Sequence, residues 1–158
     1  MNKNEQIFKG FADIYNKTVV LNKAKMELEL KECKSSEVHC IEYIGKNRDS
    51  NVTRLAESFY MTRGAISKLT KKLMEKGYIE SYQRMDNNKE IYFMLTELGH
   101  KIYKRHEKLH TEFSNRDKVV FEGIDSEQLD KMINFLENYN CHLDMELKNQ
   151  NIDKKIYD

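Results

Sequence analysis

Residues 51–99 read NVTRLAESFYMTRGAISKLTKKLMEKGYIESYQRMDNNKEIYFMLTELG. Asn51 stands before VTRLAES as an N-cap stands before a short helix. After the connection FYM, Thr62 caps a longer run to about Lys76. Ala65, Ile66, Leu69 and Leu73 recur there at helical spacing, and Gly77 stands where helices end in the left-handed region. The period then changes. YIESYQ (78–83) and IYFMLT (91–96) are β-branched and aromatic, and the polar segment from Arg84 to Glu90 joins them as a hairpin loop. A short helix, a tight turn, a lysine-rich helix and a hairpin make a winged helix-turn-helix.

Working outward, residues 4–28 carry Ile7, Phe11, Ile14, Tyr15, Thr18, Val19 and Leu21 on one helical face. SSEVHCIEYIG (35–45) reads as a shorter helix opened by Ser35 or Ser36 and closed by Gly45, and KNRDSN as a polar turn. From Glu97 the helical period returns through Leu98, Ile102, Tyr103, His106, Leu109, His110 and Phe113. Asp125 or Ser126 opens a last helix with Leu129, Met132, Ile133, Leu136, Tyr139 and Leu143. The chain is thus mainly α with a small β-hairpin wing. We expect a single domain over 1–150, with the winged part at about 35–97, dimerisation helices at 4–28 and 98–147, and a polar tail at 148–158. The terminal stripes exceed what the small central module can cover, so a homodimer that interleaves both ends is expected.

The 158 residues carry 27 basic and 26 acidic side chains, which excludes a uniformly basic coat; contact with nucleic acid must come from local clustering. Mean hydropathy is −0.79 and proline is absent, which suits long exposed helices. Three cysteines are too few and oddly numbered for a disulfide framework. No stretch approaches the ~18 apolar residues that span a bilayer, and Lys9, Asp13 and Lys17 interrupt the N-terminus where a signal peptide needs an apolar core. The expected location is the cytoplasm, with no membrane partner.

The helix from Thr62 to Lys76 bears Arg63, Lys68, Lys71, Lys72 and Lys76 against one acid, Glu75. With its apolar stripe turned inward, Arg63, Gly64, Ser67, Lys68 and Lys71 lie on the other side. A helix fits the major groove and its first residues reach base edges. Arg63 suits guanine, Ser67 can donate or accept, and Thr62 with the free amides at the helix start suits a phosphate. Lys68, Lys71 and Lys72 suit the DNA backbone. At the hairpin tip, Arg84, Asn88 and Lys89 suit a minor groove.

This stretch resembles the winged helix-turn-helix of the multiple antibiotic resistance regulator (MarR) family, best over residues 35–115. The resemblance rests on L-A in the first short helix, T-R-G-A-I-S-K on the recognition helix, K-G-Y-I-E into the wing and L-T-x-x-G out of it. It implies a dimeric transcription regulator, here read as a repressor, that binds palindromic double-stranded promoter DNA and responds to an effector. The family's wing usually carries an Asp and Arg pattern. Here Asn87 and Asn88 stand with Lys89 in the arginine place, and Arg84 is the available substitute.

His106-Glu107-Lys108-Leu109-His110 spells H-E-x-x-H, which on a helix sets two imidazoles beside a glutamate as in zinc proteases. A zinc-dependent hydrolase is therefore the alternative function. No other catalytic constellation is present, and the expected protein is not an enzyme and needs no cofactor, zinc remaining possible. His39, His106 and His110 also form a candidate effector pocket. Their placing is similar to two branches of the family: zinc-responsive repressors, and repressors of fatty-acid synthesis genes that sense acyl-carrier species. Small-molecule, acyl and metal effectors all stay open, as do three histidines satisfied by hydrogen bonds. Glu27 or Cys33 would be the extra zinc ligand. Cys33 and Cys40 read as inert thiols, Cys141 as structural, and Tyr43, Tyr60, Tyr82 and Tyr92 as packing residues.

Overall fold

The N-terminal stripe forms α1 (Lys3–Glu29), opened by a capping box between Asn2 and Glu5 in the computed structural model, which describes residues 2–150. The expected polar tail lies outside the described residues from 151 onward. α2 (Ser35–Lys46) is capped by neither serine. Lys34 holds the cap position and its backbone N–H donates to the Glu37 carboxylate at 2.9 Å. Gly45 lies inside the last turn of α2, where a Cβ would meet the Tyr103 ring at 3.0 Å. The polar turn after it ends in β1 (Ser50–Asn51), a strand of two residues too short to show a period.

The central module follows the sequence closely. α3 (Val52–Phe59) starts with the Asn51 side chain accepting from the Arg54 N–H, and Tyr60 ends it in the left-handed region at φ 51°. α4 (Arg63–Glu75) starts with the Thr62 hydroxyl accepting from the Ala65 N–H. Gly77, at φ 72°, then lets the Tyr78 N–H reach back to the Leu73 carbonyl. β2 (Ile79–Arg84) and β3 (Asn87–Leu95) pair antiparallel, and β1 adds to the other side of β3. The loop expected over 84–90 shrinks to Met85 and Asp86, because Arg84 already pairs with Asn87 across a bulge that follows Tyr82.

The L-T-x-x-G segment earns its residues. The Thr96 hydroxyl donates to the Gly77 carbonyl at 2.6 Å and accepts from the Gly99 N–H at 3.1 Å, capping α5 (Glu97–Asp117). Gly99 packs on the Tyr78 carbonyl so closely that a Cβ would come within 1.9 Å of that oxygen. A short 3-10 turn (Lys118–Phe121) leads to α6 (Ser126–Asn149), capped by Asp125.

The core lies between α2, α3, α4, the sheet and α5. Ile41, Leu55, Ile66 and Leu73 are fully buried, with Leu30, Ile102, Leu109 and Phe113 beside them. On α4 the buried set is Ile66, Thr70 and Leu73, whereas Ala65 and Leu69 are only half-buried. Thr70 tolerates burial because its hydroxyl donates to the Ile66 carbonyl at 3.0 Å. Tyr43 packs edge-on against Phe59, and Tyr82 lies against Tyr92 across the sheet. Tyr60, expected in the core, is exposed, as is Cys141 on α6. α1 and α6 contain no buried residue and touch through Phe8, Phe11, Phe135 and Tyr139.

Candidate nucleic-acid interface

With Ile66, Thr70 and Leu73 turned into the core, α4 presents Arg63, Gly64, Ser67, Lys68, Lys71 and Lys72 to solvent. The Thr62 hydroxyl oxygen accepts in the cap, while its O–H can still donate to an anion. Arg63, Lys68 and Lys71 form no ion pair among the described residues, so their charge is available to an incoming anion. Lys72 differs from them. Its Nζ sits 2.9 Å from Oε1 of Glu37, while Lys76 Nζ lies 2.7 Å from Oε2 and also donates to the Glu32 carbonyl at 3.1 Å. Burial pushes the Glu37 carboxyl up, but the Lys76 hydrogen bond, the Lys34 amide and Lys72 outweigh it and hold the pKa at about 2. Glu37 was not singled out in the sequence. Its local signal is an acid in the first turn of α2; its lysine side-chain partners come from 35 and 39 residues away.

The wing is electrostatically quieter than its sequence suggests. Arg84 is held between Asp49, at 2.8 Å, and Asp86, at 2.7 Å. Tyr82 donates its hydroxyl to the other oxygen of Asp49 at 2.8 Å. These bonds brace the hairpin against the turn before α3, and they leave the guanidinium between two carboxylates. Lys89 is exposed without an acidic partner among the described residues. Asn88 is also exposed, its carbonyl accepting from the Gln83 side chain at 2.9 Å. Asp49 was missed because its partner on the wing is 35 residues away.

Of the three histidines, only His106 is buried, at 1% exposure; His39 and His110 are exposed. They do come together. The Nε2 atoms of His106 and His110 are 3.0 Å apart, and the His39 ring meets the His106 ring edge-on at 5.8 Å. The group beside them is Glu42, with Oε2 lying 3.6 Å from His106 Nδ1 and 3.8 Å from His39 Nδ1. His39, Glu42 and His106 each bring a donor atom within 4.8 Å of the others. Neither Glu27 nor Cys33 joins this cluster: Glu27 pairs with Lys23 along α1, and Cys33 lies against Tyr78. Glu42 could have been found from sequence, since it stands three residues after His39 on the same helical face. Burial, then the neighbouring His110, lowers the His106 pKa to about 4, which leaves a neutral imidazole at pH 7.

The cysteines match their chemistry to burial. Desolvation raises the Cys33 thiol, and it pushes Cys40 up to about 12. An open cavity of about 710 Å³ lies away from the histidines, over Tyr78, Leu98 and Ile102 with Lys31, Lys104 and Arg105 at its edge. No helix among the described residues is long and apolar enough to cross a membrane.

Known proteins share this fold. The family model described as MarR family matches residues 34–91. The HTH-type transcriptional regulator PchR of Bacillus subtilis (strain 168) is 30% identical over 161 residues, covering 91% of this chain and 94% of PchR. Among solved structures, Streptococcus pneumoniae FabT in complex with DNA superposes with a TM-score of 0.77 at 22% identity, over 90% of this chain and 98% of FabT. Staphylococcus aureus MarR in complex with salicylate and kanamycin gives a TM-score of 0.71 at 19% identity, over 90% and 93%. The two structural likenesses speak for the fold; the likeness to PchR, across nearly the whole of both chains, speaks for the family. The chain belongs to the MarR family and is a DNA-binding, winged helix-turn-helix transcription regulator.

Proposed function

We propose that two copies of this chain bind one palindromic operator and repress transcription until an effector intervenes, in the cytoplasm and without catalysis. The observation that carries this reading is the outer face of α4, where Arg63, Ser67, Lys68 and Lys71 stand exposed over a buried apolar underside. Arg63 and Ser67 are placed for base edges, Thr62, Gly64, Lys68 and Lys71 for phosphates, and Asn88 and Lys89 for the flanking minor groove. Surface area supports the dimer. A compact monomer of this mass exposes roughly 8,300 Å², whereas the chain exposes 11922 Å². The excess of roughly 3,600 Å² on each chain is more than the half-share, roughly 1,000–2,500 Å² per partner, that an obligate homodimer interface requires. Ile14, Val20, Leu28, Ile133 and Leu136 are among the apolar groups left uncovered on α1 and α6. In gel shifts on promoter fragments, Arg63→Ala should erase the preference for the operator over random duplex, while Lys71→Ala should weaken both alike. Equal losses on both DNAs for both variants would contradict these roles.

The effector site in this reading is the cluster of His39, Glu42, His106 and His110, which ties α2 of the winged module to α5. One observation favours a metal there. His106 Nδ1 is buried without a hydrogen-bond partner, and a neutral imidazole beside a carboxylate is a donor set that suits zinc. His39, Glu42 and His106 would hold the ion, which would link the two helices. Calorimetric titration with zinc chloride should show one site per chain, lost in Glu42→Ala; heats indistinguishable from buffer in the wild type would contradict it. Hydrolysis through His106, Glu107 and His110 has less support. Glu107 accepts the Tyr103 hydroxyl at 2.6 Å, and the burial of His106 leaves little room for a substrate.

A further inference from the structure

The recognition helix carries more positive charge than it offers to DNA. Lys68 and Lys71 stand free on its outer face, but Lys72 and Lys76, one turn further on, are both directed to a single carboxylate on α2. Glu37 is 1% exposed and lies at the start of α2, with Lys34 N–H, Lys72 Nζ and Lys76 Nζ all within 2.9 Å of its oxygens. Lys76 is fixed a second time by the Glu32 carbonyl. Lys72 has only the carboxylate, and its side chain remains 45% exposed at the rim of the same helix face. A desolvated carboxylate holds an ammonium far better than a surface acid does, because water screens the pair less.

We infer that Glu37 is a specificity-determining residue that withholds Lys72 from the DNA backbone and caps how tightly the helix binds any duplex. Phosphate contacts add affinity without sequence information, so one fewer of them lowers binding to random DNA and leaves base reading by Arg63 and Ser67 to decide the site. The two lysine contacts tie the C-terminal end of α4 to α2 and so help set the direction in which Arg63 and Ser67 point. This inference rests on the DNA-binding role of α4.

The test reads how binding depends on salt. Each phosphate neutralised contributes about 0.9 to the slope of log K against log salt concentration. On a random duplex, Lys71→Met should flatten the slope by about 0.9, and Lys72→Met should leave it unchanged. Glu37→Gln keeps the shape of the side chain but not its charge. It should tighten random-duplex binding several-fold and steepen the slope by about 0.9, and adding Lys72→Met to it should restore the wild-type value. A Lys72→Met slope that flattens as far as that of Lys71→Met would overturn the proposal, and so would a folded Glu37→Gln protein with wild-type slope and affinity. The Lys72→Met comparison decides the matter even where Glu37→Gln does not fold, because that lysine lies at the surface. A wild-type protein that binds no duplex would instead overturn the role of α4 itself.

Discussion

The winged module and the terminal helices solve the same burial problem in opposite ways. Between Leu30 and Phe113 the module closes its core within one chain, with Ile41, Leu55, Ile66 and Leu73 at zero exposure. α1 and α6 span 27 and 24 residues without one buried side chain, and they meet through a few aromatic rings. The former is a self-sufficient fold that presents a reading surface. The latter leave an apolar face uncovered, and in the dimer we propose its partner is a second copy.

That contrast can be broken or sharpened by substitution. Leu73→Ala should cost about 2–5 kcal/mol in urea unfolding, because it leaves a cavity in a closed core. Ile133→Ser, at a position 52% exposed in the single chain, should leave the packing of the module intact and shift the sedimenting mass from dimer to monomer. Equal loss of folded signal in both variants would erase the distinction between the two regions. A smaller effect comes from the Glu37 clamp. Its carboxyl is held at about 2 against an ordinary 4.5, so the folded state favours the charged form. The stability it contributes is complete above pH 4.5 and drains away as pH falls toward 2. The stability gap between wild type and Glu37→Gln should therefore narrow over that interval; a gap that stays constant with pH would show that the clamp carries no charge-dependent stability.

What was legible in the sequence is what local chemistry decides. Asn51, Thr62 and Asp125 as caps, Gly77 as a terminator and the β-branched and aromatic runs of β2 and β3 each act within a few residues, and each was readable. The outer face of α4 followed from its apolar stripe, although Thr70 replaced Leu69 as its buried member by satisfying its own hydroxyl. The wing loop was misjudged because a polar composition hides a strand when cross-strand pairing supplies the stability. Long-range pairings were invisible. Nothing in the order of residues says that Glu37 meets Lys72 and Lys76, or that Asp49 meets Arg84. Both pairings lower the free positive charge that the sequence of α4 and the wing offers.

The most direct test of the paired α4 helices is dimethyl sulfate protection of guanine N7 on an operator fragment, since that atom lies in the major groove. Two protected patches centred about 34 Å apart on one face of the duplex are expected, both lost in Arg63→Ala. A single patch, or protection that survives Arg63→Ala, would contradict the reading of paired recognition helices.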